Sequence, residues 1–179
     1  EYSAPLSSSH LPVPQVRVEP LSDPQIEAFI AVHAPEHAAA VQARLPGWRV
    51  DHAMRYGTPS MAEAFARLRA AGVRRVRVLP LYPQYSTTTT ASVADAIAMH
   101  GGGLQVSMLN DYHRDPGWAA AVAASIRAHW EANGRGERLL LSFHGIPQRL
   151  VDGGDPYAAH CEATTRAIAE ALGMETPAR

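Results

Sequence analysis

Apolar residues recur along much of this chain at the spacing of an amphipathic helix. Met61, Phe65 and Leu68 share one face of a segment that a glycine ends, and Ser60 with Glu63 forms the residue pair of a capping box at its start. The helices predicted from such patterns span residues 36–45, 61–71, 91–100, 116–132 and 156–172. The helix over residues 116–132 is predicted to bury a stripe of residues four apart, namely Trp118, Val122, Ile126 and Trp130.

Short runs rich in β-branched and leucine side chains separate these helices. Such runs are typical of strands in a parallel sheet, and their alternation with helices of ten or more residues predicts right-handed βαβ units. The expected fold class is therefore α/β, with a parallel sheet covered by helices on both faces. The predicted strands span residues 48–55, 73–81, 104–109 and 139–143.

Proline and glycine positions divide the chain into three parts. Six prolines fall within residues 1–35 and interrupt every period there, so this segment is expected to be largely irregular. Residues 36–134 are expected to form a first, partial α/β domain. The loose sequence Asn-Gly-Arg-Gly at residues 133–136 marks the expected boundary, and residues 137–179 would begin a second α/β domain.

Composition narrows the range of functions. A formal net charge of −1 gives the chain no general attraction to nucleic acid, and no apolar run approaches the roughly 20 residues of a membrane-spanning helix. The chain has no lysine, which excludes a Schiff-base lysine and the lysine of a Walker A phosphate loop. A single cysteine, Cys161, and a start without a basic and apolar leader favour the cytoplasm as the expected location.

His144 is the strongest candidate for chemistry because it lies where a predicted buried strand ends, in the sequence LLLSFHGIPQR of residues 139–149. Ligands of open α/β sheets gather at the carboxyl ends of the strands. An imidazole at that place can hold a metal ion or accept a proton near neutral pH. The small neighbours Ser142 and Gly145 leave room beside the ring. The alternative is a histidine that only hydrogen-bonds to backbone.

Two further strand ends carry polar and aromatic groups toward the same edge of the sheet. The sequence YPQYSTTTT at residues 82–90 leaves a strand through two rings, Tyr82 and Tyr85, and enters hydroxyl residues that begin a helix. Backbone N–H groups at a helix start favour anions, so this segment suits a flat ligand that bears carboxylates. Arg55 and Tyr56 add a guanidinium and another ring. A plain helix cap and a solvated arginine are the alternatives.

The other histidines have simpler explanations. His33 and His37 are four residues apart, but a proline lies between them and no third ligand is evident. His113 is expected in a loop that enters a helix. His160 and Cys161 are adjacent on the last predicted helix, where packing is favoured over chemistry.

The segments PLYPQYSTTTT, MRYG and LSFHGIPQR followed by GDPY resemble those of the ferrochelatase family, enzymes that insert ferrous iron into a porphyrin to form haem. The resemblance covers about residues 36–173. It implies a chelatase-like α/β fold of two similar domains with the active site between them, here truncated at both ends. Fe²⁺ and a porphyrin would be the substrates, protoporphyrin IX being expected and coproporphyrin left open, with no permanently bound cofactor.

The resemblance also implies roles for individual residues. His144 matches the family's active-site histidine, a metal ligand or proton acceptor, and Arg55 with Tyr56 matches the pair that lines the porphyrin cleft. The aromatic and hydroxyl positions that face the macrocycle match Tyr82, Tyr85 and Ser86. The family's C-terminal glutamate, which works opposite the histidine, and its N-terminal glycine-rich strand end have no counterpart in this sequence.

Two alternatives stay open. One is a short chelatase of the same superfamily, of the cobalt or sirohaem type, that completes its site by pairing two chains. The other is a non-catalytic porphyrin-binding fragment. An incomplete sheet would leave apolar surface bare, so low stability or self-association is expected. A homodimer and peripheral membrane contact are further candidate interactions.

Overall fold

A computed structural model describes residues 23–174, with side chains from Ala34 onward. The chain divides into two units, residues 1–50 and 51–179. In the first unit, helix α1 spans Asp23–Arg44, so the expected irregular segment is corrected for residues 23–35, while residues 1–22 lie outside the described residues. Proline is accepted in the first turn of a helix, as at Pro24, and Pro35 lies inside α1 as well. The prolines at positions 24 and 35 therefore do not prevent a helix, contrary to the prediction of an irregular segment.

The segment after α1 is held by one side chain, Gln42. Its Nε2 donates to the carbonyls of Leu45 at 3.1 Å and Trp48 at 2.7 Å, and its Oε1 accepts from the N–H of Val50 at 2.8 Å. These bonds occupy backbone groups that a strand over residues 48–55 would need for its ladder. The predicted strand is absent from the described residues, apart from an isolated bridge at Met54.

The second unit contains a parallel βαβ element. Its first elements are α2 (Met61–Ala70), β1 (Arg75–Val78), α3 (Thr90–His100) and β2 (Gln105–Met108). β1 and β2 pair in parallel, with Arg75 opposite Gln105 and Val78 opposite Met108. The α/β class with a parallel sheet is confirmed, although both strands are shorter than predicted. The capping box is also present, because the N–H of Glu63 donates to Ser60 Oγ at 3.2 Å and the N–H of Ser60 donates to Glu63 Oε2 at 2.7 Å.

The described core lies between α2, α3 and one face of the sheet. Met61, Phe65 and Leu68 of α2 form one cluster with Val93 and Ala96 of α3, as the helical spacing predicts for α2. The sheet residues that pack against this cluster include Val76, Val78, Val106 and Met108. The alternate positions on both strands are exposed. Within the described residues, helices therefore cover one face of the sheet and not the two that the sequence predicts.

The described part of the second unit contains three further helices: α4 (Pro116–Asn133), α5 (Gln148–Asp152) and α6 (Tyr157–Leu172). The short α5 is not predicted by the sequence pattern. α4 packs against α6, where Ala119 and Ala123 are buried, and the guanidinium of Arg127 donates to the carbonyl of Ala171. The predicted tryptophan-bearing stripe is half-buried beside these alanines. The proposed domain boundary at residues 133–136 lies between these two packed helices and stays a prediction.

The predicted strand over residues 139–143 is absent. These residues form no regular secondary structure, no described strand pairs with them, and Leu140 is 87% exposed. A strand needs a neighbour to take its backbone hydrogen bonds, and an apolar run does not supply one. Among the helices that the structure describes, none combines the length and apolar character needed to cross a membrane.

Candidate functional site

Parallel pairing places the loops after β1 and β2 at the same edge of the sheet, called here the carboxyl edge. The loop after β1 contains most of the YPQYSTTTT sequence, called here the 82–90 segment, and residues 109–115 follow β2. The N–H of Tyr112 donates to the carbonyl of Pro83 at 2.9 Å and joins the two loops. The segment that the sequence predicts to face a ligand therefore lies at the carboxyl edge.

A surface concavity lies at the opposite edge of the sheet. It is lined by Arg74, Arg75, Gly103, Leu104 and Gln105. These residues precede or begin β1 and β2, so the concavity faces the amino ends of the strands. None of the residues predicted to bind a ligand lines it, and it is not the candidate site.

Asp155 holds the 82–90 segment from the amino end of α6. Its Oδ2 accepts from Ser86 Oγ at 2.9 Å, from the N–H of Thr87 at 2.8 Å and from Thr87 Oγ1 at 2.7 Å, while Oδ1 accepts from the N–H of Tyr157 at 3.0 Å. Burial would raise the pKa of this carboxyl, which is 6% exposed, but the hydrogen bonds from Thr87, Tyr157 and Ser86 outweigh burial and lower the pKa. Asp155 is therefore an ionised acceptor at neutral pH, shared by four donors.

His160 and Thr164 of α6 hold the same segment. The N–H of Tyr85 donates to His160 Nδ1 at 3.2 Å, and Gln84 Nε2 donates to Thr164 Oγ1 at 2.9 Å. A spacing of four residues puts both acceptors on one face of the helix. We call Asp155, His160 and Thr164 the α6 anchor, because together they bind each of the consecutive residues 84–87.

Arg55 and Tyr56 lie beside the start of α3. Arg55 Nε donates to the carbonyl of Ser92 at 2.8 Å, and its Cζ lies 4.6 Å from the centroid of the Tyr56 ring, a cation–π distance. Tyr56 is 71% exposed. The guanidinium is thus held in place by α3 and by the ring, and the ring itself is open to a ligand.

In the 82–90 segment, the three residues that the sequence predicts to face the macrocycle differ in exposure. Tyr82 packs partly against the core, and Tyr85 is half-buried. Ser86 is 0% exposed, and its hydroxyl is bonded to Asp155 and Thr88. As folded, Ser86 supports the segment from inside. Its contact with a macrocycle stays a prediction.

His144 lies in the irregular stretch between α4 and α5, and its side chain is exposed. The nearby Tyr157 has a raised pKa: burial raises it, Cys161 adds to the rise, and the backbone of His144 opposes it. The N–H of Tyr157 is bound by Asp155 of the α6 anchor. The imidazole is not enclosed by protein.

Asp111, His113 and His160 bring three donor atoms within 4.8 Å of one another. His113 Nδ1 lies 2.8 Å from Asp111 Oδ1, and no described residue bonds to its buried Nε2. An imidazole binds a metal ion in the plane of the ring, but the rings of His113 and His160 are stacked 3.6 Å apart with planes 13° apart. Their lone pairs lie in two nearly parallel planes and do not meet at one ion. The Nδ1 lone pair of His160 is also taken by Tyr85, so we assign no metal to this cluster.

Sequence reasoning missed the α6 anchor. The sequence gives no function to Asp155, which precedes the last predicted helix, and it assigns His160 to packing. The partners of both residues lie 68 to 75 positions earlier in the chain, where no local pattern reaches. One signal was present: His160 and Thr164 are polar residues on the face of α6 that the apolar pattern predicts to be buried.

Comparisons with known proteins agree on one family. The family model described as Ferrochelatase matches residues 28–178. A ferrochelatase from Stenotrophomonas maltophilia (strain R551-3) is 56% identical over 148 residues, 81% of this chain and 46% of that protein. A ferrochelatase from Xanthomonas axonopodis pv. citri (strain 306) is 50% identical over the same shares, and one from Azoarcus sp. (strain BH72) is 45% identical over 152 residues, 81% of this chain and 42% of that protein. The chain spans about half the length of the curated relatives it matches.

The fold defines an α/β protein with a parallel sheet. The 82–90 segment, which carries several candidate binding residues, lies in a loop at the carboxyl edge of that sheet. The motifs in the 82–90 segment and around His144 lie within the residues that the family model matches. The chain belongs to the ferrochelatase family. The resemblance drawn from the sequence motifs is thereby confirmed.

Proposed function

We propose that this chain acts in haem biosynthesis as a ferrochelatase, a lyase that inserts Fe²⁺ into protoporphyrin IX. The observation that carries the proposal is its 45–56% identity, over 81% of its length, to proteins named ferrochelatase. In the reaction, Fe²⁺ binds the four ring nitrogens and two pyrrole protons leave. Both reactants are substrates, and the proposal requires no resident cofactor. The cytoplasmic location, the homodimer and the membrane contact expected from the sequence stay predictions.

His144 is the proposed acceptor of a pyrrole proton or ligand of the incoming iron. A neutral imidazole can do either, since Fe²⁺ takes nitrogen ligands readily and imidazole titrates near neutral pH. The ring is exposed, which lets it reach a ligand and pass a proton on to water.

Arg55 and Tyr56 are the proposed porphyrin-binding pair. The Arg55 Nε is bonded to Ser92, so the two terminal nitrogens of the guanidinium are left to pair with a propionate in a planar, two-point contact. The Tyr56 ring is exposed and can lie against a flat macrocycle. Tyr82 and Tyr85 would contribute the edges of their half-buried rings.

The test is metal insertion under anaerobic conditions, with Fe²⁺ or Zn²⁺ and either protoporphyrin IX or coproporphyrin. Porphyrin fluorescence is followed for the wild-type chain, for His144→Ala and for His37→Ala, which changes an exposed histidine of α1. We expect insertion with protoporphyrin IX, a loss of about 100-fold or more in His144→Ala as for a missing acid–base group, and no change in His37→Ala.

Other outcomes separate the alternatives. Porphyrin binding without insertion would favour the non-catalytic fragment. A rate that rises with the square of the chain concentration, or a preference for Co²⁺, would favour the short chelatase that pairs two chains. Neither binding nor insertion with either porphyrin would contradict the proposed function.

A further inference from the structure

The backbone N–H of Tyr85 is hydrogen-bonded to the imidazole of His160. This N–H donates to His160 Nδ1 at 3.2 Å, so the neutral His160 ring carries its proton on Nε2 and a lone pair on Nδ1. Protonation of His160 would place an N–H opposite the N–H of Tyr85, and two donors cannot bond to each other. The same hydrogen bond is therefore present when His160 is neutral and lost when it is charged.

The surroundings of His160 favour the neutral form. The groups that act on it are His113, against which its ring is stacked, Asp111, Arg114 and Asp155. Burial lowers the pKa of His160, and His113 and Arg114 lower it further, while Asp111 and Asp155 act in the opposite direction. The net effect is a lowered pKa, so the Tyr85 bond is intact at neutral pH and is lost in acid.

Two neighbours of Tyr85 are held by groups of a different kind. Gln84 is bonded to the hydroxyl of Thr164, and Thr87 to the carboxylate of Asp155. The hydroxyl does not titrate. The carboxylate stays ionised until the pH falls below the ordinary pKa of an aspartate, because the pKa of Asp155 is lowered. Between neutral pH and about pH 4, His160 is the member of the α6 anchor that changes charge.

We propose that His160 is a positioning residue that fixes Tyr85 for porphyrin binding, and that protonation of His160 weakens porphyrin binding by releasing the Tyr85 backbone. The first part rests on the proposed function, in which the 82–90 segment faces the macrocycle. The second part rests on it as well, but the release of the Tyr85 backbone when His160 is protonated concerns the segment itself and holds for the chain without a ligand.

Two substitutions separate the hydrogen bond from the charge. His160→Asn keeps an acceptor, because the asparagine Oδ1 occupies nearly the position of Nδ1, and it cannot be protonated. His160→Leu keeps much of the volume and removes the acceptor. Arg166→Ala is the matched control, since Arg166 lies on the exposed side of the same helix.

Protoporphyrin IX binding is measured by fluorescence between about pH 5 and pH 8, a range that spans the ordinary titration of histidine. We expect wild type and Arg166→Ala to lose affinity toward acid. His160→Leu should bind about fivefold to tenfold more weakly at neutral pH, the loss expected for one hydrogen bond, with little further loss in acid. His160→Asn should bind nearly as well as wild type at neutral pH and lack the acid dependence. A wild-type acid dependence that persists unchanged in His160→Asn would overturn the proposal.

A second measurement judges the segment without porphyrin. The amide resonance of Tyr85 in ¹⁵N-labelled chain should shift with pH along the titration of the His160 ring, and it should not titrate in His160→Asn. If the amide resonance of Tyr85 does not shift as His160 titrates, the inference is overturned even when porphyrin binds. A Tyr85 amide that follows it, in a chain that binds no porphyrin, would contradict the proposed function and leave the positioning of Tyr85 standing.

Discussion

Replacing Asp155 by alanine should be among the most damaging single changes in the second unit. It removes the acceptor of four hydrogen bonds, of which two come from the backbone N–H groups of Thr87 and Tyr157 and two from the hydroxyls of Ser86 and Thr87. A buried donor left without a partner costs about 1–3 kcal/mol. The Ser86 hydroxyl keeps its contact with Thr88, and Thr87 is exposed, so its two groups can bond to water instead. We expect a loss of about 2–3 kcal/mol in the free energy of unfolding.

The assay is urea unfolding followed by far-UV circular dichroism, with the free energy taken by linear extrapolation. Asp155→Asn keeps one acceptor oxygen and should lose less than half as much. Asp152→Ala is the matched control, because Asp152 is exposed and its side chain accepts from the Gln148 side chain on its own helix; it should stay within about 0.5 kcal/mol of wild type. An Asp155→Ala chain within about 1 kcal/mol of wild type, at an unchanged slope, would refute the reasoning.

Three further outcomes follow from the same structure. The stabilisation from Asp155 should be complete above its ordinary pKa of 3.8 and should be lost as the pH falls below that value, because its pKa is lowered in the folded chain; unfolding curves in acid, compared with Asp155→Asn, check this. Ala123→Leu should cost about 1–3 kcal/mol by overpacking the contact of α4 with α6, whereas the exposed Ala120→Leu should not; thermal unfolding measures both. Leu140→Glu should reduce self-association in sedimentation velocity without lowering the melting temperature, because the Leu140 side chain is almost fully exposed.

Local patterns predicted the helices of the second unit well. The capping box of Ser60 and Glu63 and the apolar face of α2 involve residues within one or two turns of each other, so their spacing contains most of the information. The strands were less predictable, because a strand depends on a partner that lies far away in the sequence. Residues 139–143 have the composition of a buried strand, but a strand exists only where a neighbour accepts its hydrogen bonds, and composition does not identify that neighbour.

The candidate site divides in the same way. The alternation of helices and strands predicts parallel pairing, and parallel pairing places the loops after β1 and β2 at the carboxyl edge. The 82–90 segment lies in one of these loops, and Arg55 bonds to Ser92 in the helix that follows it. The burial of Ser86 and the acceptors that Asp155 and His160 provide depend on contacts between distant parts of the chain. A hydroxyl that supports a loop from inside looks the same in sequence as one that meets a ligand.

The α6 anchor also sets an order of events during synthesis of the chain. Gln84, Tyr85 and Thr87 take acceptors that lie 80, 75 and 68 residues downstream. While the ribosome has yet to release residues 155–164, these donors have only water or temporary partners. The 82–90 segment therefore acquires its final shape well after it has been made, and a nascent chain that stops before α6 would carry the segment in an unfinished form.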